Sequence, residues 1–267
     1  MVYKSYFGFR EKPFAKTPDP RFLFLSRGHE EALARLDYAV EEREIALLTG
    51  DVGCGKTTLS RALMDRCGGK CRFILVYNPR MLAIEFLRTV AYGLDVPEPG
   101  RSKDDLLRQI TGALYQNHRE GLCTVLVVDE AQTINDLAVF DEIRLLTNYQ
   151  FDDSNLLSVL IMGQPELRNI LLYHPLEPLR QRISLQYHLK PLSLEETMEY
   201  LDFRLVAAGA VPGLFTPDAI QLIHELSGGV PRRINTIATN ALLVAYGSDA
   251  AMVDAQVVAE VKDEFIL

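Results

Sequence analysis

Residues 50–57 read Gly-Asp-Val-Gly-Cys-Gly-Lys-Thr and match the phosphate-binding loop pattern G-x-x-x-x-G-K-[ST], the Walker A motif. The apolar run before them, 45–49, is typical of a strand buried on both faces, and a helical pattern begins near Lys56. Glycines let such a loop wrap around phosphate groups, and N–H groups at the helix start point at the anion. We therefore expect a nucleotide to be bound by Gly50, Asp51, Val52, Gly53, Cys54, Gly55, Lys56, Thr57 and Thr58.

Two side chains at the end of this loop have a defined chemistry. Lys56 is expected to neutralise β- and γ-phosphate oxygens of ATP, and the hydroxyl of Thr57 to bind Mg²⁺. A chance match in a glycine-rich turn is the alternative, which the strand before the loop and the helix after it disfavour.

A second motif is the run 124–132, Thr-Val-Leu-Val-Val-Asp-Glu-Ala-Gln, in which a buried strand ends in two carboxylates. Carboxylates at a strand end are costly unless they meet a cation or a polar partner. We expect Asp129 to hold Mg²⁺, generally through water, and Glu130 to polarise the water that attacks the γ-phosphate. A solvated acidic loop is the alternative. The adjacent glutamate favours hydrolysis over switch-type nucleotide binding.

Three further polar positions follow apolar runs. Gln164 comes after the strand-like run 156–162, which is expected to lie beside the strand of the second motif; its amide either orients the attacking water or satisfies backbone groups of a turn. Arginines occur in the segments 179–183 and 228–235. Isolated surface arginines are usually solvated, but phosphoryl transfer needs cations at the γ-phosphate beyond the loop lysine.

The pattern of elements divides the chain near Pro191. Before it, strand-like runs alternate with helical patterns, which predicts an α/β fold with a three-layer αβα parallel sheet. After it, a capping box at 193–196 and a Thr216-Pro217 helix start introduce a run of helices, which predicts a small all-helical domain. The expected strands are 45–49, 72–77, 124–128, 156–162 and 184–189, and the expected helices are 82–94, 103–118, 137–148, 193–208, 216–227, 231–246 and 254–264.

Composition excludes several classes of protein. The 267 residues are 48% hydrophobic and 24% charged, unlike a disordered chain. The longest apolar runs are strand-sized, below the roughly 18–20 residues of a membrane span, and the N-terminus lacks a secretory signal pattern, so a cytoplasmic protein without a transmembrane segment is expected. The four cysteines lack zinc-site spacing. Of the net charge of −8, residues 191–267 carry −7, which leaves a nucleic-acid contact open for the near-neutral first part.

In their order along the chain, these motifs resemble those of AAA+ ATPases. More narrowly, three segments are similar to the general secretion pathway protein A (ExeA-type) family. They are Tyr-Phe-Gly-Phe-Arg-Glu-Lys-Pro-Phe at 6–14, Thr-Pro-Asp-Pro-Arg-Phe-Leu-Phe-Leu-Ser at 17–26 and Gly-Gln-Pro-Glu-Leu at 163–167. The resemblance covers essentially the whole chain.

This resemblance implies an ATPase domain at 1–190, with a segment at 1–27 whose part through Pro20 packs near the adenine, and a helical lid at 191–267. It also implies a homo-oligomer whose active sites are completed by a neighbouring subunit. Arg182 is then the arginine finger with Arg180 as its alternate, Arg232 is the sensor arginine of the lid, and Gln164 occupies the sensor-1 position, where asparagine or threonine is more usual.

The resemblance leaves the biological partner open. One hypothesis is an assembly ATPase for a secretion or type IV pilus system. Full-length secretion-pathway members continue into a membrane span and a peptidoglycan-binding domain, and we expect this chain to be a short form without them. The alternatives are a helper ATPase that binds DNA and recruits a transposase, and an ATP-gated scaffold with little turnover, against which Glu130 argues.

Overall fold

The computed structural model describes residues 2–15, 20–151 and 154–262, which divide into two compact units. The first, called the sheet unit, comprises His29–Gly50 and Lys56–Leu189. The second, called the helical unit, comprises Met1–Gly28, Asp51–Gly55 and Lys190–Leu267. No helix within the described ranges is long and apolar enough to span a membrane.

The sheet unit is built on a parallel sheet. Its strands are β1 Ile45–Gly50, β2 Cys71–Val76, β3 Cys123–Val128, β6 Leu157–Gly163 and β7 Ile183–Leu189. Their order is β2-β3-β6-β1-β7, so that β1 lies between β6 and β7, and β3 between β2 and β6. The three inner strands are buried along almost their whole length because helices flank the sheet, which explains their continuous apolar runs. Two further strands, β4 Gln150–Phe151 and β5 Ser154–Asn155, form a separate pair.

Helices of the sheet unit contribute the rest of its core, which includes the fully buried Phe86, Ile110 and Phe140. The predicted α/β fold with a parallel sheet is confirmed. The antiparallel pair β4–β5 was not predicted, because strands of two residues are too short to show a hydrophobic period. The helices are α2 Arg27–Glu41, α3 Lys56–Cys67, α4 Ala83–Gly93, α5 Lys103–Arg119, α6 Leu137–Leu146, α7 Glu166–Leu171 and α8 Glu177–Arg180.

The helical unit contains the helices expected after Pro191. Ser193 and Glu196 form the predicted capping box, Thr216 caps the next helix through a bond from Ala219 N, and that helix ends at Gly228 in the left-handed conformation. These helix starts and ends are confirmed. The helices are α1 Val2–Tyr6, α9 Leu194–Ala207, α10 Pro217–Ser227, α11 Pro231–Gly247 and α12 Ala255–Lys262; positions 263–264, expected to end the last helix, lie outside the described residues.

The N-terminal segment differs from the expected division. The sequence placed residues 1–27 with the first domain, but the aromatic side chains of Tyr3, Phe9, Phe14 and Phe22 are buried in one core with α9–α12. The physical reason is that this segment has large apolar side chains, and its described residues, 2–15 and 20–27, contain no strand to bury them against. Residues 16–19, part of the segment expected near the adenine, lie outside the described residues.

Arg204 on α9 holds this segment in place. Its guanidinium is buried and donates hydrogen bonds to the carbonyl oxygens of Pro13 at 2.6 Å, Ala15 at 3.2 Å and Phe22 at 3.4 Å, and it lies 4.9 Å from the Phe22 ring centroid. Burial raises the pKa of the adjacent Tyr200, and the charge of Arg204 opposes that shift. The hydrogen bonds to carbonyl groups and the contacts with aromatic rings offset the cost of burying the Arg204 guanidinium.

Candidate nucleotide-binding and hydrolysis site

The phosphate-binding loop leaves the carboxyl end of β1, a central strand. Gly53 and Gly55 have φ values of 90° and 100°, a conformation that glycine adopts most readily. Lys56 opens α3 and is buried, with its Nζ donating a 2.7 Å hydrogen bond to the carbonyl oxygen of Gly50. The ammonium group therefore lies folded back over the loop, where it can meet phosphate oxygens. Cys54 is fully buried, and Thr58 is half-buried on α3.

The fold brings together the two residues that are expected to bind Mg²⁺. The Thr57 hydroxyl donates a hydrogen bond to Oδ2 of Asp129 at 2.7 Å, and Asp129 is only 3% exposed. The other oxygen of Asp129, Oδ1, accepts from Glu130 N at 2.8 Å. A hydroxyl and a carboxylate are hard oxygen ligands of the kind Mg²⁺ prefers, so these two residues fit the ion.

Glu130 follows β3 in a strained conformation. Its φ and ψ are 54° and 36°, the left-handed region, which costs a non-glycine residue about 1–3 kcal/mol. The turn is held by Thr133, which donates to the Glu130 carbonyl oxygen from both its backbone N, at 2.9 Å, and its hydroxyl, at 2.8 Å. Such outliers persist where surrounding contacts hold them, often at functional sites.

Two amide side chains converge on the Glu130 carboxylate. Gln132 Nε2 donates to Glu130 Oε2 at 2.5 Å, and Gln164 Nε2 donates to the same oxygen at 3.2 Å. Gln164 N in turn donates to Gln132 Oε1 at 3.0 Å. The structure thus brings together the predicted Glu130 and Gln164, with Gln164 bonded to the carboxylate. Gln132 belongs to the second motif, but no role was predicted for it. Its amide, only two positions after Glu130, was the feature of the sequence that pointed to a contact with the carboxylate.

The two arginines of segment 179–183 lie elsewhere on the sheet unit. Arg182 donates through Nη1 to the carbonyl oxygen of Arg144 at 3.2 Å and to Thr147 Oγ1 at 3.1 Å, at the end of α6. Arg180 Nη2 lies 3.8 Å from Glu177 Oε1. Within the described part of the chain, no hydrogen bond or ion pair joins either guanidinium to the residues bonded around Glu130.

Arg232 is the second residue of α11 in the helical unit, beside the loop residues that belong to the same unit. Its backbone N donates to the carbonyl oxygen of Gly53 at 3.3 Å, and its side chain is exposed. A Cβ placed on Gly53 would come within 2.6 Å of Arg232 Cβ. Only a glycine fits at this position of the loop without displacing the start of α11.

Comparison with known proteins agrees with these motifs. An AAA domain family matches residues 39–171, which include both motifs but neither Arg182 nor Arg232. General secretion pathway protein A of Aeromonas hydrophila is 40% identical over 247 residues; the match covers 92% of this chain and 45% of that protein. This chain therefore spans less than half of its curated relative.

Solved structures share the fold at low sequence identity. Aeropyrum pernix ORC2, in ADPNP–ADP complexes, has a TM-score of 0.72 and 18% identity, covering 96% of this chain and 72% of that one. Pyrobaculum aerophilum Cdc6p has a TM-score of 0.69 and 20% identity, covering 90% and 67%. The Thermotoga maritima RuvB Holliday junction branch migration motor has 0.61 and 19%, covering 95% and 73%. With a phosphate-binding loop motif after a strand of a parallel sheet, residues 39–171 of this chain are an AAA domain, and the chain is related to general secretion pathway protein A.

Proposed function

We propose that this protein binds ATP with Mg²⁺ and hydrolyses it to ADP and phosphate. The observation that carries the proposal is that Thr57, on the helix that follows β1 and its loop, bonds Asp129, whose other oxygen bonds the backbone of Glu130; β1 and β3 are separated in the sheet only by β6. A protein that only binds nucleotide needs the loop, but a half-buried carboxylate next to the metal ligand is what activation of water requires.

Each residue then has one task. The loop backbone and Lys56 hold the phosphates, and Thr57 and Asp129 would hold Mg²⁺, which when bound neutralises charge on the phosphate oxygens. Glu130 takes the proton from the attacking water through its free carboxylate oxygen. Gln164, hydrogen-bonded to that carboxylate, fixes its orientation beside the end of β6.

The test separates binding from hydrolysis. Glu130→Gln should keep ATP affinity but abolish phosphate release, whereas Lys56→Ala should weaken binding itself, because the two side chains act on different steps. Glu120→Gln is the matched control: this exposed glutamate also accepts from a glutamine amide, Gln116 Nε2 at 2.5 Å, outside the site. Wild-type turnover in the Glu130 variant would refute the assignment of the base.

We further propose a homo-oligomer in which each active site is completed by a neighbour, with Arg182 as the arginine finger, Arg180 as its alternate and Arg232 as the arginine of the lid. The support is that the Arg182 side chain is exposed at the end of α6 and bonds none of the residues around Glu130 of its own chain, so a second subunit can reach it. A cation supplied in trans at the γ-phosphate contributes orders of magnitude to phosphoryl transfer.

The related protein suggests the biological role. We propose an assembly ATPase for a secretion or type IV pilus-type system, working in the cytoplasm, because the curated relative is a general secretion pathway protein. DNA titrations at several salt concentrations test this role. ATP-dependent DNA binding with a steep salt slope would contradict it and favour the transposition helper, since phosphate contacts release counterions.

A further inference from the structure

We propose that Gln132 is a positioning residue for hydrolysis, which orients the Glu130 carboxylate and couples it to the turn at Gln164. The inference rests on the proposed function, because it concerns the same water-activating carboxylate. The sequence motif alone gives Gln132 no role. Among the described residues, its side chain bonds Glu130 and Gln164, but neither the phosphate-binding loop nor Asp129.

Only one of the two carboxylate oxygens of Glu130 accepts hydrogen bonds from these amides. Gln132 Nε2 and Gln164 Nε2 both donate to Oε2 of Glu130. Two donors on one oxygen fix the rotation of the carboxylate, and they leave Oε1 as the oxygen that can accept a proton from water. A general base must hold such a geometry closely, since small misplacements of reacting groups are costly in rate.

Gln132 uses both ends of its side-chain amide, the donor and the acceptor. While Nε2 binds Glu130, Oε1 accepts from the backbone N of Gln164, at 3.0 Å. Glutamine can do this in only one orientation of its amide, because the donor and acceptor ends differ. The side chain therefore ties the turn after β3 to the turn after β6, which are 32 positions apart in sequence.

The neighbouring strand β6 leaves room for the Gln132 side chain because it ends in a glycine. A Cβ placed on Gly163, the last residue of β6, would come within 2.7 Å of Gln132 Oε1 and within 2.7 Å of Leu167 Cδ2. Glu130, in the left-handed conformation, caps the short 3-10 helix Ala131–Thr133 that carries Gln132, so the glutamine and the carboxylate that it binds belong to one turn. A glycine and a strained turn thus frame one glutamine.

The experiment compares full-length variants by steady-state hydrolysis and by binding of a non-hydrolysable fluorescent ATP analogue. Gln132→Met keeps the volume and removes both bonds; Gln132→Glu keeps the acceptor for Gln164 N and replaces the donor by a carboxylate. Both should lower kcat by about 10–100-fold, with KM and analogue Kd within about threefold of wild type. Gln116→Met removes a similar glutamine–glutamate bond on α5 and should change neither.

A second arm asks whether Gln132 acts through Glu130. Adding Gln132→Met to Glu130→Gln should cause no further loss of the residual hydrolysis rate, measured in single-turnover reactions with enzyme in excess, because residues that act as a unit are non-additive. A further loss in that background would overturn the proposal. So would unchanged or raised kcat in both Gln132 variants, or a parallel loss of analogue affinity and thermal stability, which marks a purely structural role.

Failure of this proposal can be told from failure of the proposed function. If wild type hydrolyses ATP and Glu130→Gln does not, but both Gln132 variants turn over normally, only the role of Gln132 is wrong. If wild type does not hydrolyse ATP, or Glu130→Gln is as active as wild type, the proposed function is refuted and the role of Gln132 with it.

Discussion

The backbone N–H of Arg232, at the start of α11, donates a 3.3 Å hydrogen bond to the carbonyl oxygen of Gly53 in the phosphate-binding loop. The loop residues Asp51–Gly55 share their contacts with the helical unit, although β1 and α3 on either side belong to the sheet unit. The loop that is expected to hold phosphate therefore meets the first turn of a helical-unit helix directly.

Gly53→Ala tests this contact. The new methyl group would fall 2.6 Å from Arg232 Cβ, so either the loop or the start of α11 must shift, and we expect ATP affinity to fall at least about 10-fold. Gly69→Ala is the matched control: its φ is 79°, close to the 90° of Gly53, but nothing lies within 4 Å of its added Cβ. Equal nucleotide affinity in the two variants would show that the Gly53–Arg232 approach does not matter for binding.

Asp129→Asn tests the metal pair. The amide keeps the shape and can still accept from Thr57, but it loses the charge that would attract Mg²⁺. We expect turnover to fall by about 100-fold or more, and nucleotide binding to become insensitive to Mg²⁺ removal by chelator. Fluorescent nucleotide titrations with and without Mg²⁺ measure this. Normal Mg²⁺-dependent turnover in the variant would contradict the assignment.

Arg182→Ala tests the shared active site. Alone it should lose turnover, and mixing it with Lys56→Ala chains, which still supply Arg182, should restore part of the phosphate release. Its lost bonds to Arg144 and Thr147 should cost only about 1 kcal/mol of stability, so the subunits stay folded. The same mixing with Arg180→Ala shows which arginine acts. If neither mixture regains activity, a finger supplied in trans is disproved.

Arg204→Met tests the attachment of the N-terminal segment. Methionine keeps much of the volume but leaves the carbonyl groups of Pro13, Ala15 and Phe22 without their buried donor. We expect the free energy of unfolding in urea to fall by about 2–4 kcal/mol, with faster proteolysis of residues 2–15. Arg66→Met removes the exposed pair with Asp37 and should change stability by less than about 1 kcal/mol. Equal stabilities would show that Arg204 does not anchor the segment.

Features that depend on residues close together in the chain could be predicted from the sequence. The glycines and Lys56 of the loop, the carboxylates after β3, and the helix caps at Ser193 and Thr216 each act within a few residues of the chain. Hydrophobic period gave the main strands to within two residues for the same reason, because burial on one or both faces imposes the pattern locally. Two-residue strands such as β4 and β5 are too short to carry such a pattern.

Contacts between distant positions were decided by the tertiary structure alone. The sequence predicted β6 beside β3, but not that Gln132 and Gln164 donate to the same oxygen of Glu130. Nor did it predict that Arg204 meets the carbonyl of Pro13 across 191 positions. Nothing in the composition of residues 1–27 says which core their aromatic rings will enter. Sequence therefore determined the motifs and the helix and strand types, whereas packing decided which side chains hold Glu130 and where the N-terminal segment lies, since those depend on shape and burial between distant parts.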